Sequence, residues 1–168
     1  MKKIFSLLLC LVLAFSASAQ SFLNVKNSIN INISENFSLD EKKAIIDGLF
    51  YWDKCFSEKI GFEKNEVFFI EKSILEDNAY GDAVYKLDKI NNSIVEFTIN
   101  VNKNKVFDFN QLKLVIAHEF GHILGMPHNL NKKSVMFINS KMLSQEPDIE
   151  NDIKICLHKK AYDEILMY

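Results

Sequence analysis

The chain has 168 residues, 48% of them hydrophobic, a formal net charge of −2 and no arginine. That length and composition fit a single globular domain. The weak charge argues against a nucleic-acid or polybasic membrane partner, either of which favours a marked basic surface.

The first stretch, "MKKIFSLLLCLVLAFSASAQ", carries the basic residues Lys2 and Lys3, an apolar run from Ile4 to Phe15 and the small residues Ala17-Ser18-Ala19. That order predicts a secretory signal peptide over residues 1–19, because the apolar run is too short to span a bilayer comfortably. The expected mature protein starts near Gln20 as one domain, residues 20–168, with no stable membrane anchor and a secreted or periplasmic location. Cys10 lies inside the discarded segment. Cys55 and Cys156 remain, and the sequence leaves two alternatives for them. They pair, as exported cysteines often do, or they are free core residues on apolar helical faces.

Ile29, Ile31 and Ile33 alternate with polar residues, which predicts a half-buried strand. "SLDEKKAIIDGLFYWDKCF" opens with Ser38 and Glu41 in capping-box spacing. Ile45, Leu49, Trp52 and Phe56 recur on one face, so a long helix is expected, ended by Gly61. "EVFFIE" reads as a buried strand, and "AVYKL" and "SIVEFTINVN" as two more around an "INNS" turn. "DFNQLKLVIAHEFGHILG" predicts a second helix, with Asp108 as its cap, Gln111 capping back and Gly125 at the terminal left-handed position. A third helix follows in "SQEPDIENDIKICLHKKAYDEIL", with Ile149, Ile153, Cys156 and Leu157 on its inner side. Strands and helices mixed, then helices only, suggest an α/β layer followed by a small tail.

The chemistry concentrates in "HEFGHILGMPH". His118 and His122 are one helical turn apart, about 5–6 Å between Cβ atoms, which is the bite of a tetrahedral zinc. Glu119 is rotated about 100° from His118, close enough to reach a zinc-bound water without becoming a ligand. Gly125 permits a sharp exit from the helix, and Pro127 keeps the next residues extended so that His128 can return as a third ligand. Three protein ligands leave a position for water, the pattern of a catalytic site, whereas structural sites are closed by four. A lone histidine on a helix is usually a surface or core residue, and a bare H-E-x-x-H arises by accident. Here the helix, the glycine and the third histidine supply the context.

"VIAHEFGHILGMPH", followed eight residues after His128 by Met136 in "SVMF", resembles the metzincin clan of zinc metalloproteases and is most similar to a minimal bacterial matrixin-like peptidase. The resemblance implies an α+β domain with an upper part over about 20–125 and a small lower part over about 126–168. It implies a twisted mixed sheet with two long helices, a C-terminal subdomain ending in a helix, and one catalytic zinc. It also implies Met136 in a tight turn forming an apolar floor beneath the metal. "LSQEPDI" is similar to the start of the matrixin C-terminal helix. The sequence departs from the family pattern at Phe137, where matrixins carry tyrosine. Ile138 stands where some relatives place a zinc-reaching tyrosine, so a fifth ligand from that position is excluded. No histidine precedes His118 to hold a second, structural zinc. Asp77, Asp82 and Asp88 offer carboxylates to calcium, but spaced carboxylates are more often a solvated loop. His158 is expected on the surface. Between Gln20 and the first strand there is barely room for the inhibitory prosegment of matrixins.

The leading expectation is therefore a secreted, monomeric zinc endopeptidase acting on protein or peptide, with Glu119 as general base. An exported zinc-containing binding module with the same fold and no proteolytic role is the alternative. The cleft should cross the second helix beneath a strand from residues 92–102, expected at the edge of the sheet, where an extended substrate can add as a further strand. Leu130, Val135 and Ile138 are expected to give an apolar substrate pocket.

Overall fold

The structure, a computed structural model, describes residues 29–55, 60–62, 67–75, 79–88, 90, 93–138 and 146–166. The expected signal peptide, Phe56, Asp77 and the asparagines of the "INNS" turn lie outside the described residues. Among the described residues no helix is long and apolar enough to cross a membrane.

The first strand is split. Ile29–Asn30 (β1) pairs in parallel with Ile60–Gly61 (β3), while Asn32–Ile33 (β2) pairs in parallel with Phe68–Ser73 (β4). Ile31, buried at the joint, sends its N–H to the Gly61 carbonyl at 2.9 Å, so the predicted alternation holds while the partner changes. The main sheet runs β2-β4-β6-β5, where β5 is Gly81–Asp88 and β6 is Ser93–Asn102. β4 and β6 are parallel; β5 and β6 are antiparallel.

One expectation is corrected here. The terminal strand of the sheet is β5, not the 92–102 strand, which is β6 and pairs on both sides. Phe97, Ile99 and Val101 of β6 are buried, as befits an interior strand.

Helix α1 (Leu39–Leu49) carries the predicted capping box: Glu41 N–H donates to Ser38 Oγ and Ser38 N–H to Glu41 Oε2. It does not run on to Gly61. The helix stops at Leu49 and tightens into a 3-10 turn, Phe50–Trp52, which buries two successive aromatics, Tyr51 and Trp52. The Trp52 indole N–H donates to the Ala117 carbonyl at 2.8 Å and so ties this turn to α2 (Phe109–Ile123). Asp108 caps α2 by accepting from Gln111 N–H at 2.8 Å. Gln111 caps back one residue earlier than a capping box requires, accepting from Phe107 N–H at 3.2 Å.

Helix α3 (Ile149–Leu166) also departs from the pattern read from its apolar residues. Ile153 and Cys156 are buried as expected, but Ile149 and Leu157 are 47% and 44% exposed, and the deeply buried position is Asp152. The cysteine question is settled by a disulfide between Cys55 and Cys156, whose Cα atoms are 6.1 Å apart. His158 is exposed.

The helices α1 and α2 touch backbone to side chain. A Cβ on Gly48 would lie 2.6 Å from the Lys113 carbonyl oxygen and 2.9 Å from Ile116 Cβ. Because the first obstacle is backbone, Gly48→Ala should push the helices apart and cost about 1–3 kcal/mol. Urea unfolding checks this: the midpoint should fall with an unchanged slope.

Candidate metal centre

Helix α2 is nearly submerged, with Leu112 and every residue from Leu114 to Gly121 buried, which is why it can hold functional side chains rigidly. Its last turn delivers His118, Glu119 and His122. Gly125 ends it at φ 79°, where an L side chain is strained. Two backbone bonds close the end: Gly125 N–H to the His122 carbonyl at 2.9 Å and Met126 N–H to the Gly121 carbonyl at 2.8 Å. This Schellman arrangement satisfies carbonyls that the helix would otherwise leave bare and turns the chain back. His128 then returns to the face that carries the other two histidines.

The three Nε2 atoms form a near-equilateral triangle with sides of 3.1, 3.2 and 3.2 Å. Two rings are fixed from behind. His118 Nδ1–H donates to the Val135 carbonyl at 2.7 Å, and His122 Nδ1–H donates to the Met126 carbonyl at 2.9 Å. A carbonyl can only accept, so each Nδ1 carries the proton and each Nε2 presents a bare lone pair. Lone pairs that converge with no hydrogen between them repel unless a cation joins them. Tetrahedral bonds of about 2.0–2.1 Å to imidazole nitrogen require N···N separations of about 3.3–3.4 Å, close to those observed. The donor set therefore fits zinc. Among the described residues this is the one cluster of three groups able to hold a metal ion. Asp82 and Asp88, six residues apart on β5, do not join such a cluster; Asp82 accepts from Asn100 Nδ2 and Asp88 from Ile90 N–H.

Met136 is fully buried in the turn Ser134–Phe137, closed by Phe137 N–H to the Ser134 carbonyl at 3.1 Å. Its side chain packs under α2 at Gly121, where a Cβ would collide with Met136 and lie 3.0 Å from the Trp52 ring. Gly121, inside the H-E-x-x-H motif, is thus required for space. Beneath the turn sits Asp152. It accepts from Tyr51 Oη at 2.7 Å, from Ser134 Oγ, and from Val135 N–H at 2.8 Å. Tyr51, Gly121 and Asp152 were not among the residues the sequence singled out, and Trp52 was read only as part of an apolar helix face. The spacing of Tyr51 and Cys55, mirrored by Asp152 and Cys156, was the available signal.

His118, Glu119, His122 and His128 line one cleft with Tyr80–Ala83 and Ile138. Of the three expected pocket residues, Ile138 lines it. Val135 is a correction: its side chain is buried in the core at 1% exposure, and it serves the site through its carbonyl and N–H. Leu130 is 83% exposed and does not line the cleft, because Asn129 and Asn131 turn that segment outward through their own side chains.

Burial lowers the His118 imidazole to about 4, and it lowers His122 as well, so both rings stay neutral and able to bind metal near pH 7. Burial also pushes the Glu119 carboxyl up to about 8, with the negative charge of Asp82 adding to the shift. The folded metal-free protein thus binds more protons at Glu119 than the unfolded chain between about pH 4.5 and 8, so this group removes stability as pH rises through that window. His118 acts in the opposite sense, removing stability as pH falls from 6.5 toward 4. Glu119→Gln, which never ionises, should raise the thermal midpoint of the metal-free protein by roughly 3–8 °C at pH 8. The gain should shrink toward pH 5. Calorimetry of both proteins across that range checks the prediction.

Comparison with known proteins adds the family. The Matrixin family model matches residues 14–156. Among solved structures, the GM1-bound form of the ECX AB5 holotoxin superposes with a TM-score of 0.54 at 14% identity, covering 80% of each chain. High choriolytic enzyme 1, a hatching enzyme zinc-protease from Oryzias latipes (medaka fish), gives 0.42 at 18% identity, covering 67% of this chain and 52% of that one. No curated protein sequence matches the chain. A family model that spans most of the sequence and encloses all three histidines and Met136 places this chain in the matrixin family of zinc-dependent peptidases.

Proposed function

We propose that the chain is an exported zinc endopeptidase of protein or peptide substrates, acting as a monomer with one metal ion. The observation that carries this is the triangle of converging Nε2 atoms, 3.1–3.2 Å on a side, with the Glu119 carboxyl in the same cleft. His118, His122 and His128 would hold the zinc. When bound, the ion supplies a Lewis acid that makes water nucleophilic near neutral pH.

The rest belongs to the chain. Glu119 takes a proton from the attacking water and delivers it to the departing amide nitrogen. With the ion in place, the Glu119 carboxyl would lie below its metal-free value of about 8, in the range where it can act as a base. Strand β5, at the end of the sheet, offers its backbone to an extended peptide. Only Gly81–Ala83 of its eight residues line the cleft, so a peptide paired along β5 continues past the metal, which favours an internal bond. Ile138 gives the cleft an apolar wall. Export is supported by the signal-like "MKKIFSLLLCLVLAFSASA" and by the disulfide, which persists where the surroundings are oxidising.

The test is digestion of a mixed peptide library by the mature protein, with and without chelator, beside Glu119→Ala. The expected result is one zinc per chain and internal cuts that chelator abolishes, with the variant at least about 100-fold slower. Equal cutting by both proteins sinks the proton-transfer role of Glu119. Bound zinc with no cleavage by either protein favours the exported binding module.

A further inference from the structure

We propose that the Cys55–Cys156 disulfide is a positioning element of the metal centre, a latch that sets the grip of His118 on zinc and closes only when the chain is oxidised. The inference rests on the metal-centre reading given above.

Two rungs join the end of the α1 segment to α3. Tyr51 and Cys55 are four residues apart on one side, and Asp152 and Cys156 are four apart on the other. Both pairs are separated by 101 residues, so the hydrogen bond Tyr51 Oη–Asp152 and the disulfide tie the same two segments one helical turn apart. From the upper rung the connection to the metal is short. Asp152 accepts from Val135 N–H at 2.8 Å and from Ser134 Oγ. The carbonyl of the same Val135 accepts from His118 Nδ1–H at 2.7 Å. One residue thus has its N–H held by α3 and its C=O holding a zinc-binding ring.

The described part of α3 buries few side chains. Asp152, Ile153 and Cys156 are its buried residues among those described, while Ile149, Ile155 and Leu157 are 40–47% exposed. Over these residues the covalent rung stands beside one buried isoleucine and one buried carboxylate. Without it, Asp152 is free to leave with α3 for water, because a buried carboxylate is costly to keep. Val135 and the His118 ring then lose their fixed orientation, and an imidazole that must be ordered on binding holds metal less tightly.

Closure of the latch is thiol–disulfide exchange with an external disulfide donor. One cysteine thiolate attacks a donor sulfur, giving a mixed disulfide and a donor thiolate. The second cysteine thiolate attacks the protein sulfur of that bond and releases the donor's other sulfur. The two protein thiols are oxidised, the donor is reduced to a dithiol, and it carries the two protons. Both cysteines are buried once closed, Cys55 at 2% and Cys156 at 0%, so the closed latch is shielded from exchange.

The test is zinc affinity, measured by competition with a chromophoric chelator, in the wild type, Cys55→Ala/Cys156→Ala, Tyr51→Phe and the triple variant. Hydrogen exchange of the metal-free forms is followed alongside. Tyr51→Phe with the disulfide intact should raise the zinc Kd less than threefold. The same change in the disulfide-free protein should raise it more than tenfold, because the rungs back each other up. The Val135 amide should exchange faster without the disulfide while amides of the α1–α2 core keep their protection. An equal effect of Tyr51→Phe on the zinc Kd with and without the disulfide, the disulfide-free protein showing only a lower melting temperature, overturns the proposal. Should the disulfide-free protein not fold, Asp152→Asn in the oxidised chain decides. It is read there together with Asp152→Ala, which removes every side-chain acceptor at that position and so cuts the link to Val135 while the bridge holds α3. A Kd raised about tenfold in the alanine variant supports the latch and an unchanged Kd rejects it. A wild type that binds no zinc defeats both this proposal and the metal-centre reading. Zinc bound with no coupling between the rungs defeats this one alone.

Discussion

A carboxylate buried to 1% exposure must have its acceptor sites engaged, or the fold loses several kcal/mol. Asp152 meets that demand with three donors from two distant parts of the chain: a phenol at the end of the α1 segment, and a hydroxyl and an amide from the turn under the metal. Its burial therefore fixes three elements at once. Burial and the neighbouring carboxylate push the Tyr51 phenol upward, so it remains a donor at any ordinary pH. The turn carrying Met136 is thus held from below by α3 and from above by α2, where Gly121 leaves room for the methionine side chain.

The same logic runs through the metal site, where backbone carbonyls do the positioning. Val135 and Met126 each accept from the far nitrogen of a histidine, which fixes both tautomer and ring plane before any ion arrives. Both carbonyls are available because of local turns: the left-handed Gly125 sends Met126 back over the helix end, and the Ser134–Phe137 turn exposes the Val135 carbonyl. Charge is handled by burial. Burial favours the neutral forms of His118 and His122, whereas it penalises the Glu119 carboxylate in the absence of a compensating cation. Stability of the metal-free fold and ionisation of the carboxyl therefore pull in opposite directions at Glu119.

Most of the site was legible in the sequence because its parts are local. The i, i+4 histidines, the helix-ending glycine and the third histidine lie within eleven residues, and helical geometry alone brings them together. The capping residues Ser38 and Asp108 were readable for the same reason. What stayed hidden depends on partners far along the chain. The alternation of Ile29, Ile31 and Ile33 announces a strand, but not that its halves pair with β3 and β4. A ten-residue strand that mixes apolar and polar residues gives no sign of whether it is interior or terminal, and β6 proved interior. Asp152 reads as a surface residue on an amphipathic helix, since only Tyr51, 101 residues away, and the turn at Val135 justify burying it. Val135 looked like a pocket wall because its side chain is apolar, yet its two backbone groups are what the site uses.

The central claim is that His118, His122 and His128, and no other protein group, hold a single zinc. X-ray absorption at the zinc edge of the metal-loaded protein addresses it directly. The account predicts three imidazole nitrogens and a fourth light atom from solvent at about 2.0–2.1 Å, with one imidazole lost in His128→Ala. A shell containing sulfur or a fourth protein ligand, or one that His128→Ala leaves unchanged, would contradict it.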